Sequence, residues 1–299
     1  MMRIRKRQSV PVLGASANTG QYGPENVGPQ RTRIIRVGGA AVHLAEWGAG
    51  RPLLLLHGNP DSSLLWEEVA LLLASDFHCL APDLPGFGRS EVPAGFAPSL
   101  DGMAEFIESL RQAAGIGEPL DLAAHDFGGP FGLAWALRFP ERVRRLVLIN
   151  TLFFSDYRWH FWARVWRTPV LGEAAMALMT RPLFARELDR GGAGHIGRAH
   201  IDRTWALVTP RMKRMVLRFY RAADPAGFAP WEQALPGLIA QKPTLVLWGD
   251  RDPYIPARFA ERFGAAVTVH LPGVGHWPPV EAPAEVAAQM LRHLAADRV

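Results

Sequence analysis

The chain has 299 residues, a hydrophobic share of 48% and a net charge of +5, enough apolar material for one large domain or a domain with an insertion. The charge is uneven: residues 1–36 carry seven Lys and Arg against one acidic residue, residues 157–222 carry thirteen against four, and the rest is net −10. An acidic main body with no nucleic-acid motif excludes a nucleic-acid footprint, and no apolar run approaches the roughly 18 residues of a membrane span.

Residues 1–30 are rich in Gly, Pro, Asn, Ser and Gln, which predicts a disordered or extended arm. The opening M-M-R-I-R-K-R has no apolar segment behind it, so the expectation is a cytoplasmic protein without membrane partners. From Arg31 the chain reads R-T-R-I-I-R-V, Gly38-Gly39, then A-V-H-L-A-E-W, a hairpin of two strands. Pro52 to Leu56 reads as a strand buried on both faces, ending in H-G-N-P. Leu64, Leu65, Val69, Leu72 and Leu73 fall at helical spacing behind Asp61 or Ser62 as N-cap. The single cysteine, Cys79, lies in the next strand, F-H-C-L-A-P-D, and reads as a small core residue. D-L-P-G-F-G-R-S and an amphipathic helix from Leu100 to Ala114 follow.

The stretch from Leu120 to Pro140 organises the rest. An apolar strand, Leu120 to Ala124, stops before His125-Asp126, two glycines follow, and a helix begins with Pro130 in its first turn. Such a strand–turn–helix raises one side chain above a helix N-terminus, where negative charge is favoured. That side chain is Asp126, which predicts a carboxylate nucleophile.

After the strand R-R-L-V-L-I-N-T the alternation of strand and helix stops. Residues 152–238 read as a helical insertion lying over the C-terminal edge of the sheet, a cap. Strands resume at Thr244 to Asp250 and Val267 to Gly273, and a helix from Ala284 to Ala295 closes the chain. The domain reading is therefore a doubly wound, mostly parallel α/β domain from 31–151 and 239–299, interrupted by the cap. Polar residues follow strand ends in the order Asp126, Asp252, His276, that of a nucleophile–acid–histidine triad. Asp252 is preferred over Asp250 because the acid is usually the third residue after the strand-end glycine.

With H-G-N-P-D-S-S-L-L-W, D-L-P-G-F-G-R-S, A-H-D-F-G-G-P and G-H-W-P in this order, the chain resembles the haloalkane dehalogenase and epoxide hydrolase branch of the α/β-hydrolase fold over roughly residues 33–299. The resemblance implies a cofactor-free, metal-free hydrolase acting on a small apolar organic substrate with a halide or epoxide leaving group. Asp126 would attack carbon to form an alkyl ester, because a carboxylate gains little against an acyl group. Water activated by His276 would cleave that ester, with Asp252 orienting the imidazole. The backbone N–H groups of Asn59 and Phe127 would serve the oxyanion.

The leaving group divides the branch. The Asn59 side chain matches a halide donor, but Phe127 stands where such dehalogenases carry tryptophan and has no side-chain N–H. Trp159, Trp162 and Trp166, at i, i+3 and i+7, share a predicted helix face and are candidate replacements. Epoxide hydrolases use two cap tyrosines, and Tyr157 and Tyr220 lie near the two ends of the insertion. Fluoroacetate-type arginines after the nucleophile are absent, since Phe127, Gly128, Gly129 and Pro130 occupy those positions. A third reading is a non-catalytic protein that uses the same pocket to bind a ligand.

Overall fold

The structure is a computed structural model that describes residues 30–295; the predicted N-terminal arm falls outside the described residues except at its last position. Among the described residues, eight strands form one sheet: β1 (Arg31–Val37), β2 (Ala40–Trp47), β3 (Arg51–Leu56), β4 (Phe77–Pro82), β5 (Leu120–Asp126), β6 (Val143–Thr151), β7 (Thr244–Gly249) and β8 (Val267–Leu271). Their spatial order is β1-β2-β4-β3-β5-β6-β7-β8. Only β2 runs antiparallel, pairing with β1 and β4; the hairpin predicted around Gly38-Gly39 is the β1–β2 pair.

The helices of the main body are α1 (Glu67–Leu73), α2 (Leu100–Ala113) and α3 (Gly128–Arg138). Between β6 and β7 come α4 (Phe161–Arg167), α5 (Leu171–Leu178), α6 (Arg181–Gly191), α7 (Arg198–Ala206), α8 (Pro210–Ala222) and α9 (Ala229–Gln241). After β8 lie α10 (Pro278–Glu281) and α11 (Pro283–Leu294). The segment predicted as one helix from Ser62 divides into a 3₁₀ turn, Ser63–Trp66, and α1, with Ser62 capping the turn through its hydroxyl.

Alternation along the central strands builds two cores. Leu54 and Leu56 of β3, with Leu146 and Leu148 of β6, pack on the side of α2 and α3, while Leu53, Leu55, Val147 and Ile149 pack on the side of α1 and α11. Both faces of these strands are covered, which is why they read as unbroken apolar runs. Cys79 is fully buried in β4, and burial pushes its thiol up to about 12, so it behaves as a core residue. Helices α4, α5 and α8 pack on one another, whereas α9, the last helix before β7, packs on α3 beside the sheet. No helix of the described residues is long and apolar enough to cross a membrane.

Candidate active site

β5 continues two residues past the predicted end, to Asp126 itself. The His125 ring is buried and tied to the β8 loop, its Nε2 donating to the His276 carbonyl at 2.7 Å, while Nδ1 has no partner among the described residues. Burial and the nearby His276 charge hold the His125 ring down to about 3, so it is neutral.

Asp126 is the sharp point of the turn, with φ at +48°, a left-handed conformation a non-glycine residue adopts only where its surroundings compel it. Three contacts do so. The Thr151 hydroxyl donates to the Asp126 carbonyl at 2.6 Å. The Asn59 N–H donates to Oδ2 at 2.8 Å, and the Phe127 N–H also bonds the carboxylate. Gly58 is required beside it, since a Cβ there would lie 2.5 Å from the Asp126 side chain. Burial raises the Asp126 carboxyl to about 6, against the pull of His276 and the two N–H groups.

The β7 and β8 loops bring the other two predicted residues to the same point. His276 Nδ1 donates to Asp252 Oδ2 at 2.7 Å, and His276 Nε2 lies 3.9 Å from Asp126 Oδ1. Asp252 is held from all sides: Oδ1 accepts from the Tyr254 and Ile255 N–H groups at 2.7 and 3.0 Å, and Oδ2 also accepts from Asn150 Nδ2 at 2.9 Å. Burial alone would favour its protonation, but the charge and hydrogen bond of His276, with Asn150 and the Ile255 N–H, keep it below the ordinary carboxylate value. Burial likewise disfavours a charged His276, yet Asp252 and Asp126 together raise it to about 9. Asp250, the rejected alternative, pairs with His270 at 2.5 Å on the half-exposed sheet edge.

Asn150 was not anticipated. It sits at the end of β6 with φ at +36° and clamps β6 to β7, accepting from the Gly249 N–H at 2.8 Å while donating to Asp252. A lone Asn at the end of an apolar run carries no motif spacing, so only the tertiary contact identifies it. His160 and Tyr254 were missed for the same reason. Their rings meet at 4.9 Å, and Tyr254 stands edge-on to His276 at 5.0 Å.

Above Asp126, Asn59 and His276 lies a cavity of about 580 Å³, roofed by the helical insertion. All five predicted roof aromatics, Tyr157, Trp159, Trp162, Trp166 and Tyr220, line it. The predicted common helix face is corrected: Trp159 precedes α4, which begins at Phe161 because the His160 side chain caps it by accepting from the Ala163 N–H at 3.3 Å. The Phe127 ring is not part of the cavity lining. It lies behind the lining, stacked on Trp159 at 6.0 Å and meeting the edge of Tyr220 at 4.8 Å.

The polar atoms of the roof differ in what they have left to give. The Tyr157 hydroxyl donates to the Tyr254 carbonyl at 2.9 Å, and the Trp162 side chain bonds Glu187. Trp159 Nε1 is buried and has no partner among the described residues. Tyr220 shares a hydrogen bond with the Asn59 side chain, and burial raises its hydroxyl well above the usual phenol value, so it is protonated. No cluster of His, Cys, Asp and Glu suited to a metal ion occurs among the described residues.

A strained carboxylate between strand and helix, a histidine beside it and an acid behind that histidine define a nucleophile-elbow arrangement on a doubly wound sheet. Residues 51–283 match the family model described as alpha/beta hydrolase fold, and the chain belongs to that family. It is 31% identical over 266 residues to Haloalkane dehalogenase 2 of Mycobacterium tuberculosis, covering 84% of this chain and 90% of that protein. It is 30% identical to cis-3-alkyl-4-alkyloxetan-2-one decarboxylase of Xanthomonas campestris pv. campestris, covering 78% and 83%. The crystal structure of DBJA superposes with a TM-score of 0.76 at 26% identity, covering 89% of this chain and 97% of that one. Within the family the chain is a hydrolase of the haloalkane dehalogenase and epoxide hydrolase branch.

Proposed function

We propose that this chain is a cofactor-free haloalkane dehalogenase that works through an alkyl ester on Asp126, with the insertion acting as cap. The carboxylate attacks the halogen-bearing carbon, the carbon–oxygen bond forms as the carbon–halogen bond breaks, and halide departs. Water then attacks the ester carbonyl of Asp126, giving up its proton to His276 Nε2, and the alcohol leaves. The helix α3 N-terminus and the N–H groups of Asn59 and Phe127 stabilise the developing oxyanion.

Charge explains how His276 changes role. In the free enzyme Asp126 is one of the groups that hold the proton on His276. Alkylation neutralises Asp126, which weakens that hold and frees the imidazole as the base for the second step. Asp252 stays ionised and keeps Nδ1 protonated, so Nε2 is the basic nitrogen.

The observation that carries the halide reading is the buried, unpartnered indole N–H of Trp159, which lines the same cavity as Asn59 and Asp126. A buried donor with no acceptor costs about 1–3 kcal/mol, and a halide leaving the substrate would supply the acceptor. Trp159 stacks on Phe127, so it replaces the indole missing from position 127. Epoxide hydrolysis is the second reading, favoured by the protonated Tyr220 hydroxyl in the lining. It ranks second because Tyr157, the other tyrosine, already donates to a backbone carbonyl.

Halide release and diol formation, measured on haloalkane and epoxide panels for Trp159→Phe and Tyr220→Phe, test the assignment. Loss of halide release in Trp159→Phe supports it. Diol formation by the wild type that is lost only in Tyr220→Phe would replace it with epoxide hydrolysis.

A further inference from the structure

We propose that the outer face of α4–α6 docks on an anionic lipid surface, delivering apolar substrate from the bilayer directly into the cavity. Among the described residues eight large apolar side chains are exposed, and five of them fall between residues 161 and 183: Phe161, Val170, Leu171, Leu178 and Leu183, at 61, 80, 51, 73 and 57% exposure. Four of these five, all but Val170, also line the cavity. Side chains that are both exposed and cavity-lining form its mouth, so the opening is a ring of hydrocarbon. A concentrated apolar patch of this kind marks an interaction surface rather than ordinary surface scatter.

Charge decides between possible occupants. Residues 157–191, which carry the patch, have six Arg against three acidic residues, and two of those three are already paired, Glu173 with Arg221 and Glu187 with Arg190. Arg158, Arg164 and Arg186 are exposed on the same segment and have no ion-pair partner among the described residues. A second copy of the chain placed on this face would bring like charges together. An anionic leaflet accepts both features, hydrocarbon below the headgroups and arginines at their level. An apolar solute dissolved in that leaflet would then pass Phe161 and Leu183 into the cavity without crossing water. The expectation of no membrane partner rested on the lack of a spanning segment, and peripheral docking needs none.

The test is flotation of the full-length chain with vesicles of phosphatidylcholine alone and with added phosphatidylglycerol, without substrate, so the outcome is independent of the proposed reaction. The wild type should float with the anionic vesicles only, less so as salt is raised. The double substitution Leu178→Glu with Leu183→Glu, and separately Arg164→Glu with Arg186→Glu, should each weaken binding by about tenfold or more. Val170→Glu, at a site outside the cavity, should weaken it in the same direction. Because all variants keep Arg3, Arg5, Lys6 and Arg7, the comparison isolates the rim from that basic run. The proposal is overturned if the rim variants float as well as the wild type, if no anionic binding occurs, or if light scattering shows a dimer that Leu178→Glu with Leu183→Glu dissolves.

Discussion

The floor of the cavity and its roof are built on opposite rules. On the floor, both oxygens of Asp252 are hydrogen-bonded, the Asp126 carboxylate takes two backbone N–H groups, and even the Asp126 carbonyl is met by Thr151. On the roof, rings pack on rings: Trp159 on Phe127, Tyr157 and Tyr220, and Trp166 on Tyr220. Its indole N–H at Trp159 is left open. A dense hydrogen-bond network fixes geometry and tolerates little change, whereas packed aromatics and aliphatics shape a volume and can be exchanged with graded effects. Chemistry is therefore assigned to the floor and choice of substrate to the roof.

Substitutions on the two layers should separate along that line. Asp126→Asn should remove turnover by about 10⁴-fold or more, because an amide cannot form the ester. The same change should stabilise the fold above pH 7. An aspartate whose folded pKa is raised from 3.8 to about 6 is a destabilising charge at neutral pH, by about 3 kcal/mol as an upper figure. That penalty is absent below the unfolded pKa and grows as pH rises toward the folded one. Thermal melts at pH 5 and pH 8 check this, with a gain at pH 8 about twice that at pH 5.

Asp252→Asn should lower kcat by about 10³- to 10⁴-fold while leaving the roof, and hence substrate binding, in place. On the roof, Trp159→Phe should cost about 10²-fold in halide release, the scale of one lost transition-state donor, with a smaller effect on any epoxide turnover. Back on the floor, Asn150→Ala should cost only about tenfold, because it positions Asp252 and three other donors to that carboxylate remain. Smallest in structural terms is a proton: kcat/KM should fall about tenfold per pH unit below about 6, as Asp126 loses the charge that makes it a nucleophile. An acid limb near 4 instead would mean that Asp126 is better solvated than its burial implies.

The same division governs what was legible in the sequence. Strands of the floor read clearly because burial on both faces makes unbroken apolar runs, and their polar termini stand out against them. Asp252 is preferred over Asp250 because it stands three residues after Gly249, the usual place of the acid; in the structure Asp252 meets His276 and Asp250 turns outward to His270. The β5 boundary was drawn two residues short because His125 and Asp126 look like loop residues, and only the contacts to His276, Thr151 and Asn59 show why a strand can carry them. Roof residues are joined by no such local rule. Trp159 and Tyr220 are far apart in sequence and meet only through the packing of α4 on α8, and helical periodicity wrongly placed Trp159 inside α4 because the His160 cap lies outside that pattern.

The central claim is a covalent bond between Asp126 and substrate carbon, and the intact mass of His276→Gln after incubation with haloalkanes tests it most directly. Without the base the second step should fail, and the mass should rise by one alkyl group, on the peptide that contains Asp126. A folded His276→Gln protein that keeps its unmodified mass across haloalkane and epoxide panels would contradict the account.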